Sequence, residues 1–298
     1  MPSYNFRLVN VFAETVLAGN PLCVFEDARG LDDTTMQALA LQFNLSETTF
    51  VLPSTVATAH VRIFTPTFEM PFAGHPTLGT AHVVRAIFGA TDAVTLEMRA
   101  GVIPVSAQGD RWTLSANAPK HRAVTATRAE LASMLGLAEQ EVAPNPAEPP
   151  LWVDTGSNQL VRPLASADAV RRATPRPDLM QKYGSNGTRS MAYLWARDAA
   201  SADDADDADA DADDMQRVVT RFFFPKHGAV IEDPGTGSAC ANLGGWLLAT
   251  GARLPQRMAI SQGDQVARPC RMHLEVTADR RILVSGRVIE LGRGTVTL

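Results

Sequence analysis

The order of apolar and polar positions predicts many short strands and a few helices. Residues 6–25 hold two strand-like stretches: Phe6, Leu8, Val9, Val11 and Phe12, then Leu22, Cys23, Val24 and Phe25. They flank a turn at Gly19-Asn20-Pro21. Met36, Leu39, Ala40 and Phe43 recur at helical spacing behind Asp32 and Asp33, which predicts a capped helix over 33–43. Strands are predicted at 48–52, 60–65, 93–98, 101–106 and 111–116. Pro76 is expected to start a helix reaching Phe88, since proline at the first helical position gives up no needed donor. Beyond Pro119 come a short helix at 131–135, a Pro-rich loop at 144–150, and strands at 151–154, 159–163, 190–196 and 218–224. A helix over 238–249 is stopped by Gly251, and the tail reads as four strands near 257–261, 271–277, 281–285 and 287–291.

Two segments share one design. Ala73-Gly74-His75-Pro76-Thr77-Leu78-Gly79-Thr80-Ala81 and Pro234-Gly235-Thr236-Gly237-Ser238-Ala239-Cys240-Ala241 are each a small-residue turn opening directly into a helix after a strand region. No charge stands between Ser238 and Ala249, and a helix apolar on every side is a buried one. Two buried helices, each surrounded by strands, imply two similar domains with a boundary near 118–125. Gly74, Gly235 and Gly237 lack a Cβ, so the backbone there can approach a ligand closely. The first N–H groups of a helix have no internal partner and carry the positive dipole end. Each turn is therefore a candidate cradle for a carboxylate or phosphate. Two such turns facing each other would grip one small anion. The same spacing also suits two ordinary strand-to-helix turns.

Length and charge narrow the function. A chain of 298 residues, 45% hydrophobic, has material for two domains with a core. The net charge of −5 is local: nine of the 32 acidic residues lie between Asp198 and Asp214, in an Ala/Asp alternation free of Lys and Arg. Without them the balance is +4. Such a stretch has nothing to bury and is expected to be a solvated, poorly ordered insertion between two strands. The remainder has no dense basic cluster, which argues against nucleic-acid binding. No apolar run of about 18 residues exists to span a membrane. The first dozen residues carry no signal-peptide pattern. Cys23, Cys240 and Cys270 form no CxxC pair and no metal-type spacing, so free thiols in a reducing cytoplasm are expected.

Few titratable residues flank the two turns. His75 lies inside the first. Asp233 directly precedes the second, with Glu232 beside it, and Glu47 sits in Asn44-Leu45-Ser46-Glu47-Thr48-Thr49-Phe50. Two carboxylates and an imidazole in an enclosed cleft can move a proton, each contributing roughly 10²–10⁴-fold. Each also has a plainer reading: Glu47 satisfies backbone groups at a helix end, His75 caps the helix begun by Pro76, and Asp233 is an N-cap. His82 lacks a partner at metal-ligand spacing, and no GxGxxG, GxxxxGK[ST] or GxSxG occurs.

At this point the chain resembles the PhzF-like isomerases (phenazine-biosynthesis F type) of the diaminopimelate epimerase-like fold. The matching pieces are Val9-Asn10-Val11-Phe12 with Gly19-Asn20-Pro21-Leu22, Leu45-Ser46-Glu47-Thr48, Phe72-Ala73-Gly74-His75-Pro76-Thr77-Leu78-Gly79 and Gly156-Ser157-Asn158-Gln159. Arg221-Phe222-Phe223, Glu232-Asp233-Pro234-Gly235-Thr236-Gly237-Ser238-Ala239, Gln262-Gly263 and Arg268-Pro269 complete them, in family order. The resemblance implies an α+β protein of two pseudo-symmetric domains, each a mixed β-barrel around a central helix, with the active site between them. The expected boundaries are 1–120, joined by a C-terminal strand at about 281–298, and 121–280, with the acidic insertion at 198–214. No metal and no organic cofactor is implied, and a cytoplasmic homodimer is expected. Carried over, Glu47 is the general acid/base, and His75 and Asp233 line the site. Ser238 and the backbone of Gly74, Gly235, Thr236 and Gly237 hold the substrate's polar groups. Gly235 stands where Ala or Val is usual, and Ala267 where Gly is common.

Epimerases of this fold use two opposed cysteines, one at each turn. Aligning the glycines places Ala73 and Pro234 there, and neither carries an acidic proton. Cys240 falls within the buried helix. A carboxylate-centred proton shift on a small carboxylated substrate fits better; the family's type reaction isomerises trans-2,3-dihydro-3-hydroxyanthranilate. An epimerase pairing Glu47 with His75 or Asp233, and a non-catalytic ligand-binding protein of the same fold, are the alternatives.

Overall fold

The computed structural model describes residues 1–142, 145–198, 215–226 and 228–298. The acidic insertion expected at 198–214 lies outside the described residues from 199 onward. The chain forms two compact units, Met1–Ser115 with Ser285–Leu298, and Ala116–Val284.

The first unit runs β1 (Ser3–Val11), β2 (Asn20–Phe25), α1 (Asp33–Phe43), β3 (Thr48–Leu52), β4 (Ala59–Phe64), β5 (Glu69–Met70), α2 (Gly74–Phe88), β6 (Ala93–Met98), β7 (Gly101–Gln108) and β8 (Arg111–Ser115). The second runs β9 (Lys120–Ala123), α3 (Arg128–Leu135), β10 (Leu151–Asp154), β11 (Asn158–Pro163), α4 (Ala167–Arg172), α5 (Pro177–Tyr183), β12 (Ala192–Arg197), β13 (Gln216–Lys226), β14 (Ala229–Asp233), α6 (Gly237–Ala249), β15 (Gln256–Gln262) and β16 (Cys270–Val276). The last strand, β17 (Ile282–Thr297), begins in the second unit and ends in the first.

In the first unit β1–β2 is antiparallel, β2–β3 parallel, β3–β4 antiparallel and β4–β6 parallel, and β6–β7–β8 continues antiparallel. β17 pairs with both β8 and β1, which closes an eight-stranded barrel. Closure removes the free strand edges that would otherwise invite aggregation. α2 fills the barrel: from Gly74 to Val84 every residue but His82 is buried. Close approach is possible because Gly79 has no side chain; a Cβ there would stand 2.6 Å from Leu22 Cδ2 and 2.8 Å from Val11 Cγ2. α1 packs outside, capped by Asp32, which accepts from the Thr35 N–H at 2.7 Å, and ended by Asn44 in the left-handed region. Its Met36, Leu39 and Ala40 pack with Phe25, Phe50 and Phe64, and the Phe25 and Phe50 rings stack at 4.9 Å.

The second unit repeats this order. β10–β11 is antiparallel, β11–β12 parallel, β12–β13 antiparallel, β13–β15 parallel and β15–β16 antiparallel, with β9 beside β10. α6 is its buried helix, fitted by Gly245, whose absent Cβ would meet Pro119 and Val153 at 2.8 Å. α3, α4 and α5 contribute Leu131, Val170 and Met180 to an apolar cluster with Trp152, Leu160 and Leu194. The α+β architecture of a mixed barrel around a buried helix, twice over, is the one the resemblance implies.

The differences from the sequence-based expectations are local. α2 begins at Gly74, so Pro76 is its third residue and still needs no donor; α6 begins at Gly237. The tail strands expected at 281–285 and 287–291 are one continuous strand, because Ser285 and Gly286 keep extended pairing. β5, β9, β14, α4 and α5 carry no readable period: they are two to seven residues long, and β9 is wholly exposed.

Candidate active site

The first turn brings Glu47 and His75 together. Glu47 immediately precedes β3, and His75 is the second residue of α2. His75 Nδ1 stands 3.4 Å from Glu47 Oε2, with side chains 6% and 15% exposed. Burial lowers the imidazole to about 4, opposed by a hydrogen bond to the Pro21 backbone. At neutral pH the ring is therefore uncharged. The cap position, Ala73, has no side chain to satisfy the helix start, and the first turn holds no acidic residue. Thr77 Oγ1 donates to the Ala73 carbonyl at 2.6 Å. The amides of Gly74 and His75 thus belong to an uncapped, positive helix end beside the Glu47–His75 pair.

The second turn is laced by side-chain amides. Thr236 caps α6 by position and donates from Oγ1 to Asp233 Oδ2 at 2.5 Å. Gln262, fully buried, donates from Nε2 to the Asp233 carbonyl at 2.9 Å and to Thr236 Oγ1 at 3.0 Å, and accepts from the Thr236 N–H at 3.4 Å. Ser238, the second residue of α6, accepts from Gln159 Nε2 at 3.1 Å. Behind it Asn242 Nδ2 donates to Gln159 Oε1 at 2.7 Å and to the Ser157 carbonyl at 2.8 Å. Asn242 Oδ1 accepts from the Thr155 N–H and hydroxyl. Gly263, at φ +83, allows the turn to close: a Cβ there would lie 2.3 Å from the Arg268 carbonyl oxygen and 2.4 Å from that of Pro234. Ala267, where the family favours glycine, sits at φ +55, a backbone region glycine enters without steric cost.

Glu47 stands beside the first turn and the other candidate residues lie on or directly before one of the two turns, and two plainer readings are corrected. His75 does not cap α2; it lies inside the first turn and its ring faces Glu47. Asp233 is not the N-cap of α6; it accepts from the residue that is. The helices begin at Gly74 and Gly237, so Gly235 lies in the turn two residues before α6. Neither Ala73 nor Pro234 carries a thiol. Cys240 is fully buried and burial pushes its thiol well up, which suits a core residue. Glu232 is spoken for: it holds Arg221 through contacts of 3.1 and 2.6 Å. Arg221 also donates to the Ala173, Arg171 and Val170 carbonyls at the end of α4. Gln159, Gln262 and Asn242 had no assigned role in the sequence. The signal for Asn242 was an amide within an otherwise apolar helix. Among the described residues, no three His, Cys, Asp or Glu side chains converge as metal ligands, and no helix is long and apolar enough to cross a membrane.

Comparison with known proteins shows the family and the fold. The PhzC-PhzF family, described as phenazine biosynthesis-like protein, matches residues 9–294. An uncharacterized isomerase of Pasteurella multocida is 38% identical, over 98% of this chain and 93% of its own. The trans-2,3-dihydro-3-hydroxyanthranilate isomerase of Pseudomonas chlororaphis is 33% identical, over 99% of this chain and all of its own. The crystal structure of a PhzF-family phenazine biosynthesis protein from Bacillus anthracis superimposes over the whole of both chains with a TM-score of 0.85 at 23% identity.

Proposed function

The chain belongs to the PhzF family of phenazine biosynthesis-like isomerases, and we propose that it isomerises a small carboxylated cyclic or amino-acid-like substrate by general acid/base proton transfer centred on Glu47. The carrying observation is the 3.4 Å approach of the Glu47 carboxyl group to a buried imidazole held neutral. We assign the proton transfer to Glu47, the carboxyl group that the family resemblance makes the general acid/base. His75 lines the site beside that carboxyl group and contributes no competing charge. In the reaction Glu47 removes a proton from an activated carbon. The electron pair shifts into the conjugated system, and Glu47, once its acquired proton has exchanged with solvent, delivers a proton to another carbon, so atoms and electrons balance. Asp233, Ser238 and the backbone of Gly74, Gly235, Thr236 and Gly237 bind its polar groups. Uncapped helix starts suit a carboxylate.

The test substrate is trans-2,3-dihydro-3-hydroxyanthranilate, turned over in deuterated water and followed by NMR. Product formation with deuterium at one carbon is expected, and Glu47→Gln should lower turnover by about 100-fold or more. Full activity in that variant removes Glu47 from its role. No conversion by the wild type moves the substrate elsewhere within the carboxylated class.

A further inference from the structure

The hydrogen bonds behind Ser238 form a chain whose direction is fixed at its far end. Asn242 is anchored to the backbone on both sides: its Oδ1 accepts from the Thr155 N–H at 2.9 Å, and its Nδ2 donates to the Ser157 carbonyl at 2.8 Å. An N–H can only donate and a carbonyl only accept, so the amide cannot be turned over. Nδ2 is then the atom facing Gln159, and Gln159 must present Oε1 to it, at 2.7 Å. That leaves Gln159 Nε2 facing Ser238 Oγ, at 3.1 Å, as donor. Ser238 Oγ is therefore an acceptor on its protein side. Among the described residues no other side-chain hydrogen bond involves Ser238, so its hydroxyl proton is committed to no protein acceptor.

We infer that Asn242 and Gln159 are positioning residues that hold Ser238 with its proton free, as a hydrogen-bond donor to an oxygen of the substrate, either a carboxylate or a carbonyl. Asn242 is fully buried, Gln159 is 2% exposed and Thr155 5% exposed. A buried, fully satisfied polar chain keeps one arrangement because every alternative strands a buried donor or acceptor. The chain explains an amide inside an apolar helix, where a packing role alone would favour leucine. It also fixes what Ser238 offers a ligand: its proton and the one lone pair that Gln159 leaves unused.

This inference rests on the reading of Ser238 as substrate-binding, and the experiment separates the two. In ligand-free protein, NMR of assigned side-chain amides reads the polarity directly. Ser238→Ala should move the Gln159 side-chain N–H proton upfield and speed its exchange, leaving the Gln159 carboxamide carbon in place. Movement of the carbon with an unmoved N–H would mean that Ser238 donates inward, and would overturn the proposal. With trans-2,3-dihydro-3-hydroxyanthranilate as probe, Ser238→Ala and Gln159→Glu should each raise KM about 10- to 100-fold with kcat little changed, the loss of one hydrogen bond to a charged group. Glutamate keeps the size of Gln159 but accepts from the serine and turns its proton inward. The double variant should be no worse than either single one, and Ser238→Thr should restore binding. A wild-type KM in Gln159→Glu overturns the proposal; Gln159→Met serves if the glutamate variant does not fold. If the wild type does not turn over the probe, the substrate reading falls, and the ligand-free measurement still decides the direction of the chain.

Discussion

The two units repeat one strand order around one buried helix, yet their helix-opening turns are furnished in opposite ways. Matching the hairpins on Asn20 and Asn158, the first residues of β2 and β11, sets Pro21 against Gln159. The helix starts set His75 against Ser238. The first turn has an imidazole hydrogen-bonded to the Pro21 backbone; the second has a hydroxyl held by the Gln159 side chain. By strand register, the place of Glu47 beside β2 is taken in the second unit by Ala192. The first turn thus keeps a titratable pair in contact, while the second replaces it with a network of amides and hydroxyls. One unit places a carboxyl group beside an imidazole, and the other ties its turn with side-chain amides and hydroxyls.

A second device recurs with a different target. Arg62 on β4 grips Glu69 on β5 at 2.8 and 2.9 Å, and Arg221 on β13 grips Glu232 on β14. Each arginine also reaches an outer helix: Arg62 reaches Asp33 at the start of α1, and Arg221 the carbonyls at the end of α4. Both choices complement the helix dipole, an acid at the positive end and a cation at the negative end.

These contrasts can be broken in order of expected effect. Glu232→Ala leaves a buried guanidinium without its counter-charge and should lower stability by about 3–5 kcal/mol. Glu69→Ala should cost visibly less, since Arg62 keeps the exposed Asp33. Equal losses in chemical denaturation would mean that the two pairs are equivalent. Next, Gly263→Ala forces a Cβ against two backbone oxygens at a positive φ and should cost about 2–3 kcal/mol. Gly79→Ala meets side chains that can shift and should cost about 1–2 kcal/mol, read as a smaller fall in Tm. A reversal of that order would show that the first barrel is the tighter of the two.

At neutral pH the smallest effect is at His75, where the contrast is read as a pH slope. His75 has its folded pKa lowered to about 4 from an ordinary 6.5, so between those values the unfolded chain binds more protons. Its contribution is fully present above about pH 6.5 and is lost as pH falls toward 4. His75→Asn should flatten the acid limb of a Tm-against-pH curve in that window. Ser238→Ala, at the matched position, should leave the limb unchanged. The same slope in both proteins would assign it to other groups.

Most strands were legible from period-two runs, and 48–52, 93–98 and 151–154 were read to the residue. Both central helices were legible because a segment apolar on all sides has nowhere to go but inside. β9 could not be read, because Lys120–Ala123 is exposed on both faces and is a strand only through its pairing with β10. The candidate residues were legible as polar groups beside glycine turns. Their partners were not: Asn242 and Gln159 are 83 residues apart, and Thr236 and Gln262 are 26 apart.

The sequence by itself determined the repeat, the two buried helices and the set of groups able to carry a proton, because period, glycine placement and residue type are local properties. Tertiary structure decided the surroundings of those groups. It buried His75 until the ring stayed neutral beside Glu47. It tied Asp233 to Thr236 and took Glu232 for Arg221. It also anchored Asn242 between two backbone groups, so that a direction runs outward to Ser238. Burial and hydrogen-bond direction depend on what the distant chain brings alongside, and no spacing along the sequence contains that.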